Sequence, residues 1–219
     1  MFSEVSLRNA AAACFINAES LREEARLLSG NRYEARAAAL AIIGVEEFAK
    51  AIVWTVGALL PEQRNLLPSK LYVHEVKHII AGYAEVAQSE CNDDFLVLAQ
   101  ESGYWPTAQV RLTLMFRRIA GYGLRTLLSP PQVARKYYEA LQRDFAEIFV
   151  DPYLKNQVLY VDLTPTGEVL MPDRLEDPAE SQILGLEWFL DEYRGLPELL
   201  IDDAAWNKLC GSVRETSHS

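Results

Sequence analysis

The run AAALAIIGVEEFAKAIVWTVGALL, residues 37–60, limits what this chain can fold into more than any other stretch. It is long enough to span a bilayer. Glu46, Glu47 and Lys50 sit in its middle, and each such charge costs ~2.5–3.5 kcal/mol at a membrane centre on insertion scales. A transmembrane span is therefore rejected. So apolar a run is then best hidden as a central helix, covered on most sides by its neighbours.

Those neighbours are also expected to be helices. Alanine, leucine and glutamate are frequent and strand-like alternation is rare. A first helix should run from about Glu4 to Leu28, with Gly30 as its stop. Asn31 is placed to cap the second helix while Glu34 reaches back, as in a capping box. Pro61 ends that helix after Leu60. Pro68-Ser69 open a third, running to about Ser89. CNDD then opens a further helical region, interrupted near Pro106, whose second half is apolar with an arginine-bearing face. SPPQ restarts a helix that reaches about Val150.

The one β signal follows: QVLYVDL and GEVLM flank TPT. EDPAESQ starts a last helix, broken near Gly195-Leu196-Pro197, and RETSHS reads as a disordered tail. The expected fold is mainly α, a multi-helix bundle with a small β-hairpin or extended loop near residues 157–172. Residues 1–150 should form the bundle core and 151–176 a hairpin or loop insertion. Residues 177–210 should form a C-terminal helical segment packed on the core, and 211–219 the tail.

Composition narrows the function. A net charge of −10 argues against wholesale coating of nucleic acid. The charge is uneven, however. Residues 108–143 hold Arg111, Arg117, Arg118, Arg125, Arg135, Lys136 and Arg143 against Glu139, which reads either as solvated helix faces or as a local basic surface. Cys14, Cys91 and Cys210 form no C-x-x-C, so neither a disulfide framework nor a structural zinc site is expected. MFSEVSLRNA lacks the pattern of an export signal. A cytoplasmic protein is expected, with no membrane association and no cofactor.

The charges within the apolar run need an explanation. Lys50 is i,i+4 from Glu46 and i,i+3 from Glu47, so an intrahelical pair is available. Exposed pairs of this kind are worth only ~0.3–0.5 kcal/mol, too little to account for charges in so apolar a helix. Buried, they need partners, and two acids against one lysine leave room for another cation. Either a functional pocket or a buried structural network fits.

HEVKH, residues 74–78, reads as H-E-x-x-H. In a zinc hydrolase His74 and His78 would be ligands and Glu75 the general base. Lys77 opposes this, because a cation beside a ligand disfavours Zn²⁺, and no third ligand fits a tight spacing. No metal site is expected. Alternatively, His74 and Lys77 share a helix face and meet Glu46, Glu47 and Lys50 on the preceding helix. By rise alone Glu47 lies ~20 Å before the end of its helix and His74 ~8 Å into the next. They are level only if the connector shifts the register.

FINAESLREEARLL, GNRYEARAAALAIIGVEEFAKA, HEVKH and LKNQVLYVDL together resemble the AbiV family of bacterial abortive-infection proteins. The matching positions are Asn17-Ala18, a Gly-Arg turn with Asn31 inserted, and Glu46, Glu47 and Lys50. They continue with His74 and Lys77, then Leu159-Tyr160-Val161-Asp162. The resemblance implies an anti-phage protein, a toxin that arrests growth or translation of the infected cell. It also implies similarity to the helical HEPN ribonucleases, which are dimeric and metal-independent. On that analogy Glu46, Glu47, Lys50, His74 and Lys77 would be catalytic. His74 would be the acid or base, Lys77 or Lys50 would stabilise phosphate, and the glutamates would tune their pKa values. The HEPN R-x4-6-H element is absent, since Arg64 lies too far before His74.

Two function classes follow. One is a growth-arrest enzyme acting on RNA. The other is a non-enzymatic module that binds a phage or host factor, such as the translation machinery. A phage-encoded trigger and a homodimer are expected with either. A zinc-dependent hydrolase stands third.

Overall fold

The computed structural model describes residues 2–67, 74–102, 107–129, 162–163, 169–170 and 179–216. Within them lie seven α-helices: α1 (Glu4–Gly30), α2 (Glu34–Leu59), α3 (His74–Ser102), α4 (Ala108–Leu128), α5 (Ala179–Glu192), α6 (Leu196–Ile201) and α7 (Asp203–Thr216). A short 3₁₀ helix, Pro61–Leu66, follows α2. The expected helix up to Val150 lies outside the described residues.

α2 is the axis of the bundle. It packs against α1, α3, α4 and α5. Its small and β-branched side chains, from Ala35 through Val56, are buried around the whole circumference. This is what an all-round apolar helix requires. Close approach is built in at Gly44: a Cβ there would run into the Leu186 methyls of α5. Phe48 then anchors an aromatic cluster, with its ring 4.9 Å from Phe189, 5.0 Å from Tyr193 and 6.4 Å from Phe15. α1, α2 and α5 thus meet the α5–α6 turn at one point. Each large apolar side chain buried there is worth ~1.5–3 kcal/mol.

The C-terminal helices are tied to the start of the chain by polar contacts. Arg8 donates to the Leu200 carbonyl at 2.6 Å and pairs with Asp203 at 2.8 Å. Its guanidinium lies 5.1 Å from the centre of the Trp206 ring, and the indole N–H donates to Glu4 at 2.8 Å. Among the described residues no helix is long and apolar enough to cross a membrane.

Several boundaries differ from those expected. Asn31 does not cap α2. Its amide donates to the Leu27 carbonyl and its backbone closes the end of α1, while the N-cap position of α2 falls to Tyr33. The turn is made by Arg32, in the left-handed region at φ 65°, rather than by Gly30. α3 does not end near Ser89 but continues through CNDD to Ser102. Asn92 and Asp94 face outward there and bond to Gln88 and Arg118, so they do not interrupt the helix. α7 continues to Thr216, so residues 211–216 are helical rather than part of a tail.

The small β-hairpin near residues 157–172 is not borne out as an element of the fold. The extended residues described there are Asp162–Leu163, paired antiparallel with Val169–Leu170. Two residues a side are too few for an independent hairpin, and the remainder lies outside the described residues.

Candidate functional site

Glu46 lies on the face of α2 that meets α3. Its Oε2 accepts a hydrogen bond from Lys77 Nζ at 2.6 Å, and its Oε1 is 3.7 Å from His78 Nε2. All three residues are buried: Glu46 is 3 %, Lys77 7 % and His78 2 % exposed. A short charge-assisted bond in so dry a place is strong, and it compensates two ions whose desolvation is expensive. The connector does shift the register. The first turn of α3 lies level with the middle of α2, where Lys77 reaches Glu46.

Glu47 and Lys50 go elsewhere. They form an ion pair with each other on the α1 side of the helix, partly exposed. There they adjoin Cys14 of α1. Burial, with the Glu47 carboxylate beside it, pushes the Cys14 thiol up to about 11. Successive helical residues point about 100° apart, so adjacent glutamates serve different interfaces. Of the five sequence-nominated residues, four fall into two ion pairs. Glu46 and Lys77 meet, and Glu47 and Lys50 meet separately. The side chains of His74 and Glu75 lie outside the described residues.

His78 carries more weight than the sequence suggested, as a buried member of the Glu46 cluster. A signal was available, since it follows Lys77 directly and lies one helical turn beyond His74. It also bears on zinc. His78 lies against Glu46 beside the Lys77 ammonium, and a cation there opposes a second one. Among the described residues no three histidines, cysteines or acids cluster closely enough to hold a metal ion.

A second polar cluster joins α3, α4 and α5. Glu192 accepts from Arg111 at 2.6 Å and from Gln88 at 3.1 Å. The Arg111 guanidinium lies 5.2 Å from the centre of the Phe95 ring. Nearby, the Tyr193 hydroxyl donates to the Ala84 carbonyl at 2.7 Å, and complete burial holds that phenol well above its ordinary pKa. Arg118 pairs with Glu90 and Asp94. Part of the basic face of α4 is thus spent on acids of α3 and α5.

This helical core, with an acid and a lysine joined across its second and third helices, accords with a comparison against known families. A family model described as AbiV, of the HEPN group, matches residues 6–184. The chain belongs to the AbiV family. The match spans α1 to the start of α5, and so includes both the Glu46–Lys77 and the Glu47–Lys50 pairs. No curated protein and no solved structure matches the chain. In this member of the AbiV family, α6 and α7 lie beyond the matched residues, tied back to α1 through Arg8 and Trp206.

Proposed function

We propose that this chain is an anti-phage abortive-infection effector that arrests growth or translation of the infected cell. We further propose that it does so by contact with a phage or host component rather than by cutting RNA. Membership of the AbiV family supports the first part, since an abortive-infection role fits that family.

One observation carries the second part: the Glu46–Lys77 bond, with both side chains buried. Cleavage at a 2′-hydroxyl needs an acid and a base that touch the substrate. Two charges that neutralise each other out of solvent do not reach a phosphodiester. Their geometry supports a structural network that sets α3 against α2. The ribonuclease reading rests on His74, three residues ahead of Lys77 at the start of α3. The proposed form is a cytoplasmic homodimer, its trigger a phage-encoded protein and its target the translation machinery.

The test is phage infection of bacteria expressing the chain, with pulse-labelled protein synthesis and total RNA followed together. Arrested synthesis over intact RNA supports the proposal. RNA fragments that disappear with His74→Ala would replace it with the ribonuclease.

A further inference from the structure

The 3₁₀ helix and the distal part of α4 flank a half-open cavity of about 780 Å³, which neither Glu46 nor Lys77 lines. The cavity owes its shape to a break inside α4. Gly123 adopts φ 71° and ψ 156°, a conformation that side-chain-bearing residues rarely take. Just past the break, the Leu124 N–H leaves the helix ladder and donates to Gln63 Oε1 at 2.7 Å. The 3₁₀ helix is thereby pinned to the kink.

Arg117 and Arg125 line this cavity, together with Glu62, Gln63, Asn65 and Tyr122. Neither arginine makes an ion pair among the described residues. Arg32, Arg36, Arg64 and Arg214 also make none among the described residues, but they do not line the cavity. Arg8, Arg26, Arg111 and Arg118 all find carboxylates. Even Glu62, in the same lining, pairs with neither of the two. A guanidinium offers a planar fork of donors suited to phosphate oxygens, and two of them suit a chain of phosphates. Leu60, Leu66 and Val213 supply apolar wall for the rest of a ligand. Small-molecule sites commonly enclose ~300–1,000 Å³, so the space fits a nucleotide-sized molecule.

We propose that this cavity binds a small organic polyphosphate of nucleotide size, with its phosphates held by Arg117 and Arg125. The phosphates, not the base, are what the site recognises. Bound ligand would brace the α2–α3 connector against α4, because the cavity lies between them.

Isothermal titration of the full chain with ATP tests this, with adenosine as the phosphate-free control. ATP is expected to bind saturably and adenosine not at all. Arg117→Ala and Arg125→Ala should each weaken ATP by about tenfold or more, without lowering the melting temperature of the ligand-free protein. Glu62→Gln, which removes a carboxylate from the lining, should tighten it. ATP binding that is absent up to millimolar concentration would overturn the proposal. So would an equal affinity for adenosine, or an affinity unchanged by both arginine substitutions.

Discussion

Lys77 of α3 and Glu46 of α2 are joined by a 2.6 Å bond that bridges two helices, while the adjacent Glu47 turns away to pair with Lys50. The joined pair is buried and lies beside His78. Buried ion pairs add little net stability compared with a well-packed apolar pair, yet removing one partner costs ~3–5 kcal/mol, because the other charge is stranded. The bond therefore specifies how α3 sits on α2 more than it strengthens the contact.

Tyr193→Phe removes a hydroxyl that donates to the Ala84 carbonyl from a fully buried ring. The ring itself, packed between Phe48 and Phe116, is retained. Urea denaturation should show a loss of about 1 kcal/mol, with an unchanged slope against denaturant.

Gly44→Ala introduces a methyl where the Leu186 side chain already sits. Overpacking of this kind costs ~1–3 kcal/mol. Leu186→Ala opens the same space at the cost of a cavity. In the double variant the two losses should sum to less than their separate values, since each relieves the other. Strict additivity in thermal melts would place the two residues out of contact.

Alkaline stability follows from a set of buried thiols and phenols: Cys91, Cys210 and Tyr83 are raised by burial, and three others are shifted more. The Cys14 thiol is raised from 9.0 to about 11 and the Tyr122 phenol from 10.0 to about 12, both chiefly by burial, and burial also holds Tyr193 well above its ordinary value. In each case the folded state holds its proton more tightly than the unfolded state. The stabilisation is complete below the unfolded pKa values and is lost as pH rises through the folded ones. Urea midpoints should be level near pH 8 and fall between about pH 9 and 12. Cys14→Ala should flatten the early part of that fall. By the same cause, Cys14 should react slowly with iodoacetamide at pH 8 in the native protein and quickly in urea.

The central helix was legible because apolarity all round a helix leaves no other soluble solution, and three mid-run charges excluded the membrane. Its stop at Pro61 and the break near Gly195 were legible from backbone chemistry alone. The caps were harder, since Asn31 can serve the end of one helix as well as the start of the next, and Leu27 claimed it. CNDD looked like a boundary because its polar residues have alternatives to helix, but cross-helix partners such as Arg118 keep them in it. For the site, spacing showed that Glu46, Glu47 and Lys50 needed partners. It did not show which glutamate faces α3, because that depends on how far the α2–α3 connector carries the chain. The place of His78 beside Glu46 depends on the same connector.

The proposed role of the Glu46–Lys77 bond is to position helices rather than to perform chemistry. It is tested most directly by pairing Glu46→Gln with Lys77→Met, measuring melting temperature and protection against phage for the single and double variants. Each single change should lower stability by about 3 kcal/mol and reduce protection with it. The double variant keeps the shapes, removes both charges and leaves an amide facing His78. The prediction is that it regains most of the stability and the protection together. A double variant that melts like the wild type yet gives no protection would contradict the claim and return the pair to catalysis.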